Sequence, residues 1–374
     1  MTRVYLDYNA TAPLRPEALE AVTRACAMGG NPSSIHAAGR AARALVEQAR
    51  TEVAALIGGP ASTVVFTSGG TEANALAVDS AVATGSRRLI VSAIEHDSVL
   101  ETAKASGMAV EILPVGADGL ADLAWLSERL ARWDAADGRP FVALMLANNE
   151  TGVIQPVREA SEIVRAAEGW LHVDAIQAAG KIATDSRALG ADTLSTSAHK
   201  LGGPQGVGAL TFGPRATLVR RQHGGGQERG RRAGTENVPG IAGFGAAAMA
   251  AMRDVNDQAP MRDIAAEQLK AQGAVVIAES SPRLPNTLCV ATPGHPSDLQ
   301  VMKLDLAGFM VSAGSACSSG KVKASHVLSA MGLGELAESA IRVSGGWGTT
   351  ENDWAAFVDA WSEIRHAARR APAA

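Results

Sequence analysis

Short apolar runs recur along the first two thirds of the chain, and longer segments with apolar residues at helical spacing follow most of them. The runs lie at residues 63–67, 88–93, 110–115, 141–146, 170–175, 193–197 and 207–212. Strands of continuous apolar character that alternate with amphipathic helices are typical of a parallel sheet with helices on both faces. The pattern therefore predicts an α/β fold with a mostly parallel central sheet.

The last third of the chain has a different pattern. Between residues 261 and 366, helical segments alternate with short strands such as residues 286–291. We expect a large α/β domain over residues 15–255 and a smaller α+β domain over residues 256–374. The N-terminal residues 1–14, which contain a short strand, are expected to complete the smaller domain.

Composition limits the class of protein. The chain has 374 residues, of which 47% are hydrophobic and 19% are charged, so it can bury a large core. The net charge is −4 with acids and bases interspersed, which argues against nucleic acid or anionic lipid as a partner. A signal peptide and an apolar run of membrane-spanning length are both missing from the sequence. These features predict a cytoplasmic protein.

The three cysteines are too far apart for a disulfide framework or a paired-cysteine metal site. Cys26 lies in an amphipathic helix and is interpreted as a small core residue, and Cys289 as a packing residue of a strand. Neither a zinc-binding HExxH sequence nor a GxSxG serine elbow occurs, which disfavours zinc enzymes and serine hydrolases.

A lysine at the end of a predicted strand is the first candidate for chemistry. The run 193–197 leads into His199 and Lys200, and a glycine-rich turn, residues 202–206, follows. An amine at this place, with hydroxyl groups nearby, suits a Schiff base to an aldehyde cofactor. The alternative is a solvated lysine that opens a hairpin turn.

A second candidate is the junction of a strand with a helix at Gly69-Gly70-Thr71. The free N–H groups of a helix start, together with a hydroxyl group, form a site for a phosphate. A Gly-Gly turn without any ligand is the alternative, since the spacing matches neither a Walker loop nor GxGxxG.

Five polar residues each fall at or just after the end of a predicted strand: Thr71, His96, Asn149, Asp174 and Lys200. Each has a local alternative, because His96 and Asp174 are also suited to cap helices and Asn149 to hold a turn. Ligands of parallel sheets bind beyond the carboxyl ends of the strands, so we expect these residues to share one site.

Pyridoxal phosphate would use these residue types. It requires a lysine for the Schiff base, an acid at the pyridine nitrogen, a ring-stacking partner and a phosphate cup. The residues expected in these roles are, in order, Lys200, Asp174, His96, and the group Gly70, Thr71, Ser197 and His199.

Motifs along almost the whole chain resemble those of the cysteine desulfurases, of the nitrogen-fixation and iron–sulfur-cluster type within the class V aminotransferase family. They are Tyr5-Leu-Asp-Tyr8, Thr67-Ser-Gly-Gly-Thr-Glu72, Glu95-His96, Asn148-Asn-Glu-Thr-Gly152, His172-Val-Asp-Ala175, Ser197-Ala-His-Lys200, His223-Gly-Gly-Gly-Gln-Glu-Arg229, Ala233-Gly-Thr235 and Ser312-Ala-Gly-Ser-Ala-Cys-Ser318. The resemblance implies pyridoxal-phosphate fold type I, with a seven-stranded sheet, and a homodimer with shared sites. It also implies conversion of L-cysteine to L-alanine and an enzyme persulfide.

The resemblance adds roles for further residues. It places Gln177 at the ring hydroxyl of the cofactor, Asn149 and Arg342 at the substrate carboxylate, and Thr235 at the cofactor phosphate of the neighbouring subunit. Cys317, in a loop of serine and glycine, would receive the sulfur, and His96 would assist proton transfer. No metal site of protein ligands alone is expected, only a transient iron–sulfur contact at Cys317.

Some points stay open at this stage. The basic stretch 220–232 reads as a solvated loop, a nucleic-acid patch or, by the resemblance, a loop that reaches the neighbouring subunit. Trp347 stands near a position where many relatives carry a basic residue, and the chain lacks the C-terminal extension that some use to dock a scaffold protein. The sulfur acceptor is a nitrogenase scaffold, a housekeeping cluster scaffold or a tRNA-thiolation protein. A selenocysteine lyase, another aminotransferase-like enzyme and a non-catalytic assembly partner are the alternative functions.

Overall fold

The computed structural model describes residues 3–254, 257–314 and 324–370, with side chains as far as residue 367. The helices are α1 (Pro16–Met28), α2 (Ala37–Ile57), α3 (Gly70–Ala83), α4 (Asp97–Ala105), α5 (Leu123–Ala131), α6 (Val157–Ala166), α7 (Val238–Arg253), α8 (Ala259–Ala271), α9 (Ser297–Leu306), α10 (His326–Ala330), α11 (Gly334–Ala337) and α12 (Glu351–Arg370). The strands are β1 (Val4–Tyr5), β2 (Val64–Thr67), β3 (Arg88–Ser92), β4 (Ala109–Leu113), β5 (Phe141–Ala143), β6 (Trp170–Asp174), β7 (Thr193–Ser197), β8 (Gly208–Phe212), β9 (Val275–Val276), β10 (Thr287–Ala291), β11 (Phe309–Met310), β12 (Ser312–Ala313) and β13 (Ala340–Ser344).

The seven apolar runs of the sequence form one sheet, in the order β2-β8-β7-β6-β5-β3-β4. All neighbouring strands are parallel except for β8, which runs antiparallel to both β2 and β7. Every residue of the inner strands β5, β6 and β7 is buried. The α/β class and the mostly parallel seven-stranded sheet are therefore confirmed.

Small residues allow the helices of the large sheet to approach one another closely. In α7, a Cβ atom on Gly243 would lie 2.7 Å from side-chain atoms of both Pro204 and Val22, and one on Gly245 would lie 2.7 Å from the Cα atom of Ala49. A larger residue at either position would force the helix away from its neighbours. Glycine at these two positions thus permits the close approach of α7 to its neighbours.

A second, antiparallel sheet has the order β12-β13-β10-β9. Its core includes Trp354, Phe357 and Trp361 of α12. The N-terminal segment joins this part of the chain, because β1 pairs in parallel with β11 and Asp7 forms a bridge to Ser344.

The two cysteines that the structure describes differ in burial. Cys289 is buried in β10, as its sequence neighbours indicated. The interpretation of Cys26 as a core residue is wrong, since its side chain is exposed. The buried face of α1 consists of Ala18, Ala21 and Ala25, and Cys26 follows one residue later, which turns it toward solvent.

Candidate active site

A cavity of about 410 Å³ lies at the carboxyl ends of the parallel strands, next to the edge of the second sheet. Its volume falls in the range of pockets that hold small molecules. The cavity brings together these predicted residues: Gly70, Thr71, His96, Asn149, Asp174, Gln177, Ser197, His199, Lys200 and Arg342. Because they lie at or after the ends of five strands, β2, β3, β5, β6 and β7, and on β13, the shared edge of the sheet is what assembles them.

Lys200 lies in a single 3-10 turn directly after β7, so the strand end aims its amine into the cavity. Its Nζ atom donates hydrogen bonds to the carbonyl oxygens of Asn9 at 2.6 Å and Ala10 at 2.8 Å. Burial, and then the nearby charge of Arg342, lowers the pKa of Lys200 to about 8. Its neutral form, which is a nucleophile, is therefore far more populated near neutral pH than that of a surface lysine.

Asp174 ends β6, and its carboxylate is buried. One oxygen accepts from the backbone N–H of Ile176 at 2.9 Å, and the other accepts from the Nδ2 atom of Asn74 at 2.8 Å. Burial raises the pKa of Asp174, while these two donors and the charges of His96 and Lys200 oppose the rise. The carboxylate thus lies in the site without a cationic hydrogen-bond partner among the described residues.

Asn74 is a site residue that the sequence analysis missed. It is completely buried in α3 and joins Asp174 to His172, whose Nε2 atom lies 3.0 Å from the Asn74 Oδ1 atom. The second Nδ2 bond of Asn74 goes to Ser98 at 2.8 Å. Its position two residues after the Thr67–Glu72 motif was the available signal.

His96 caps α4, as its local alternative indicated, and also lines the cavity. Its Nδ1 atom accepts from the backbone N–H of Ser98 at 3.0 Å. A backbone N–H can only donate, so the lone pair of Nδ1 is engaged and the neutral ring carries its proton on Nε2. Capping fixes the tautomer of the imidazole, and the two interpretations of His96 are compatible.

The start of α3 lies at one end of the cavity and has the features of an anion-binding site. No side chain caps this helix, which leaves the N–H groups of its first turn available beside the Thr71 hydroxyl group. A Cβ atom on Gly208 of β8 would lie 2.5 Å from the carbonyl carbon of Gly69, so only glycine permits this approach.

Ser197 and His199, at or just after the end of β7, line the same cavity. Burial and the charge of Lys200 lower the pKa of His199 to about 4, so its imidazole is neutral near neutral pH.

Arg342 comes to the cavity from β13 of the second sheet. Its Nη1 atom donates to the carbonyl oxygen of Asn149 at 3.1 Å, and its Nη2 atom donates to Asp7 at 2.8 Å. Its buried Nε atom has no hydrogen-bond partner among the described residues. Arg342 and Asn149 are therefore adjacent, and Asp7 is a contact that the sequence analysis did not anticipate.

Asn9 is a further residue that the sequence analysis missed. Its carbonyl oxygen accepts from both Lys200 and the Nε2 atom of Gln177, and its side-chain oxygen accepts from Lys181 at 2.8 Å. Its backbone N–H donates to Ser344 at 3.0 Å. Asn9 follows directly on the Tyr5-Leu-Asp-Tyr8 motif, which is the only signal that the sequence contains.

Two predicted residues are not in the described part of this cavity. Thr235 lines a separate cavity of about 160 Å³, together with Glu228 and Arg232. Cys317 lies outside the described residues, although Ser312 and Gly314, which precede it in sequence, line the main cavity.

The described residues contain no group of three or more histidine, cysteine or acidic side chains that could hold a metal. None of the described helices is both long and apolar enough to cross a membrane.

Comparison with known families identifies the class of protein. The family model of the class-V aminotransferases matches residues 4–357. The chain therefore belongs to this family, whose members depend on pyridoxal phosphate.

Within this family, the chain is similar to proteins named cysteine desulfurase. The chain is 42% identical to a cysteine desulfurase of Cereibacter sphaeroides, in an alignment that covers 97% of this chain and 95% of the relative. It is 39% identical to the cysteine desulfurase IscS of Dictyoglomus turgidum, with coverage of 96% and 94%.

Solved structures agree with this placement. A NifS-like protein superposes with a TM-score of 0.89 at 35% identity and covers 98% of this chain and 100% of its own. A structure described as SspA in complex with cysteine superposes with a TM-score of 0.80 at 29% identity, with coverage of 93% and 100%.

Proposed function

We propose that this protein is a cysteine desulfurase, which converts L-cysteine to L-alanine and keeps the sulfur as a persulfide on Cys317. The observation that supports it best is the cavity itself. The amine of Lys200, the acid of Asp174 and the guanidinium group of Arg342 share this cavity with Gly314, three residues before Cys317 in sequence.

The residues present fit pyridoxal phosphate. Lys200 supplies a partly neutral amine for the aldehyde, and Asp174 is a buried carboxylate whose hydrogen-bond donors, among the described residues, are neutral. The start of α3 offers free N–H groups to a phosphate, with Thr71, Ser197 and His199 beside it. When bound, the cofactor acts as an electron sink that stabilises negative charge on the substrate carbon.

Arg342 and Asn149 are assigned to the substrate carboxylate. A guanidinium group presents paired N–H donors in a planar fork that matches a carboxylate. Asp7 holds this fork from one side, so its direction is set before the substrate arrives. The substrate is then held with its amino group and thiol toward the remainder of the cavity.

The sulfur transfer uses Cys317 as the nucleophile. Its thiolate attacks the sulfur of the bound cysteine, so that an S–S bond forms, the C–S bond breaks and the bonding electron pair remains on the carbon. That carbon takes up a proton and leaves as L-alanine, while the persulfide stays on Cys317. His96, which carries its proton on Nε2 in the cavity, and Lys200 are placed to move the protons of this sequence.

We extend the proposal to the assembly. Two subunits would form a homodimer with shared sites, in which the basic stretch 220–232 reaches the neighbouring subunit and Thr235 contacts the cofactor phosphate there. The sulfur would go to an iron–sulfur scaffold or another acceptor protein in the cytoplasm. The division into domains at residues 255 and 256 belongs to the same proposal.

Complementation between inactive variants tests the shared site. A Lys200→Ala protomer mixed with a protomer that lacks the Thr235 loop should recover part of the activity, because one of the two sites would be intact. If verified heterodimers recover none, the sites are not shared.

The activity is tested with purified protein, pyridoxal phosphate and L-cysteine. We expect equal amounts of alanine and sulfide in the presence of a thiol, which reduces the persulfide, and labile sulfur on Cys317 in its absence. If alanine forms from selenocysteine but not from cysteine, the protein is a selenocysteine lyase. If neither amino acid is consumed, the proposed function is wrong.

A further inference from the structure

Lys181 is a half-buried lysine that the proposed chemistry does not use. It follows Gln177 by four residues in the turn after β6, and its Nζ atom donates to the Gln177 Oε1 atom at 2.9 Å and to the Asn9 Oδ1 atom at 2.8 Å. Among the described residues, it forms no ion pair with a carboxylate. Its contacts are thus with two neutral side chains that border the active site.

These contacts leave Gln177 with one orientation of its amide. The Nζ atom of Lys181 carries at least two N–H donors in either protonation state, and it donates to the oxygen of Gln177. The carbonyl oxygen of Asn9 can only accept, so the atom facing it at 2.9 Å must be the nitrogen of Gln177. One N–H of the Gln177 amide remains for the cavity that Gln177 lines.

The fixed amide has a chemical consequence. With its oxygen already bonded, Gln177 can only donate to a group in the cavity. A donor beside a ring oxygen favours the anionic form of that oxygen over the protonated form. If Lys181 were absent, only the bond to Asn9 would hold the amide, and a flipped Gln177 would present Oε1 to the cavity, accept a hydrogen bond from the same group and favour its protonated form.

We propose that Lys181 is a positioning residue, which holds the amide of Gln177 so that an N–H faces the ring oxygen of the cofactor. This inference rests on the proposed function, since it presumes that pyridoxal phosphate occupies the cavity.

The surroundings of Lys181 are unfavourable for a charged amine, and this supports a specific role for the residue. Burial, and then the positive charges of Lys200 and Arg342, lowers the pKa of Lys181 well below its ordinary value. The charged groups that face this region are Lys200 from the turn after β7, Arg342 from β13, Asp174 from β6 and Asp7 from the N-terminal segment. A lysine between two cations destabilises the fold unless its hydrogen bonds offset the penalty.

The test measures the pH midpoint of the absorbance change of the bound cofactor. Lys181→Met removes the donor at nearly constant size, and we expect the midpoint to rise by about one pH unit, a tenfold change in the ionisation equilibrium. Lys181→Arg keeps a donor and should restore most of the wild-type midpoint. The exposed Lys104, which pairs with Glu101, provides the control Lys104→Met, which should leave the midpoint unchanged.

A double-mutant cycle separates positioning from a general structural effect. In the background of Gln177→Leu, the further change Lys181→Met should shift the midpoint little, because Lys181 acts through Gln177. Equal shifts in both backgrounds, or no shift in Lys181→Met, would overturn the inference. If Lys181→Met does not fold, Lys181→Gln replaces it. This variant keeps a donor on a shorter side chain, so the pH midpoint should rise by less than one unit. Failure of the proposed function is distinguishable, since wild-type protein would then bind no cofactor.

Discussion

Arg342 and Asp7 form an ion pair in which the Nη2 and Oδ1 atoms lie 2.8 Å apart. The other oxygen of Asp7 accepts from the hydroxyl group of Ser312 at 2.8 Å. One carboxylate from the N-terminal segment therefore fixes both the proposed substrate-binding arginine and the strand that leads toward Cys317. The proposed substrate-binding end of the cavity is thus held in place by contacts within the protein.

Substitution of Arg342 should weaken substrate binding selectively. Arg342→Lys retains the charge but loses the planar fork, so we expect KM for L-cysteine to rise by about tenfold or more, which corresponds to about 1.4 kcal/mol. Asp7→Asn should raise KM severalfold, because the fork is then held less firmly. Steady-state kinetics measures both effects, and the absorbance of bound cofactor is the control that should not change. An unchanged KM in Arg342→Lys would remove it from the substrate site.

The lowered pKa of Lys200 predicts a pH profile for cofactor uptake. The neutral amine reacts with the aldehyde, and its fraction increases about tenfold per pH unit below a pKa of about 8. The rate of uptake by cofactor-free protein should therefore rise with pH and level off above about pH 8, instead of near 10.5 as for a surface lysine. Stopped-flow absorbance measures this rate. A flat profile would contradict the assignment, and Lys200→Ala should not form the yellow covalent chromophore at any pH.

Replacement of Asp174 should impair chemistry more than folding. Asp174→Ala removes a buried carboxylate whose pKa is already raised by burial, so the fold loses two hydrogen bonds but no ion pair. Turnover should fall by at least about a hundredfold, because the ring nitrogen then lacks its acidic partner. Activity and thermal unfolding are measured together. Full turnover in Asp174→Ala would show that this role is wrong.

The cysteines should differ sharply in their effect on activity. Cys317→Ser should retain the yellow cofactor and lose both alanine formation and labile sulfur. Cys289→Ser and the exposed Cys26→Ser are the controls and should keep the activity. Burial raises the pKa of Cys289 to about 12, so it carries almost no thiolate. Alanine formation by Cys317→Ser at the wild-type rate would refute the desulfurase mechanism.

A buried ion pair anchors the loop that contains Thr235. Glu228 accepts from both terminal nitrogens of Arg50, at 2.7 and 2.9 Å, and also from the backbone N–H of Phe66. Glu228→Ala should destabilise the protein by about 3–5 kcal/mol, because Arg50 then loses its buried partner and keeps only the exposed carboxylate of Glu47. Glu47→Ala is the matched control, since its exposed carboxylate also pairs with Arg50, and it should cost about 1 kcal/mol or less. Urea unfolding measures both, and equal losses would show that the buried pair has no special importance.

The sequence by itself determined the central sheet and one rim of the site. Continuous apolar runs reveal buried strands because burial on both faces requires them, and parallel strands place their carboxyl ends together. His96, Asp174 and Lys200 could therefore be predicted to meet, and the structure places them in one cavity. The motif resemblance, and not the periodicity, pointed to Gln177 and Arg342.

Only the tertiary structure decided which distant segments complete that rim. The Asn9 side chain bonds Lys181 and Thr287, and its backbone bonds Ser344, because β1 pairs with β11 and carries the N-terminal segment over the strand ends. Local periodicity reports how a residue faces its own helix or strand, but such contacts depend on how separate sheets pack. Cys26 shows the same limit on a smaller scale, since one position on a helix turns a side chain by about 100°.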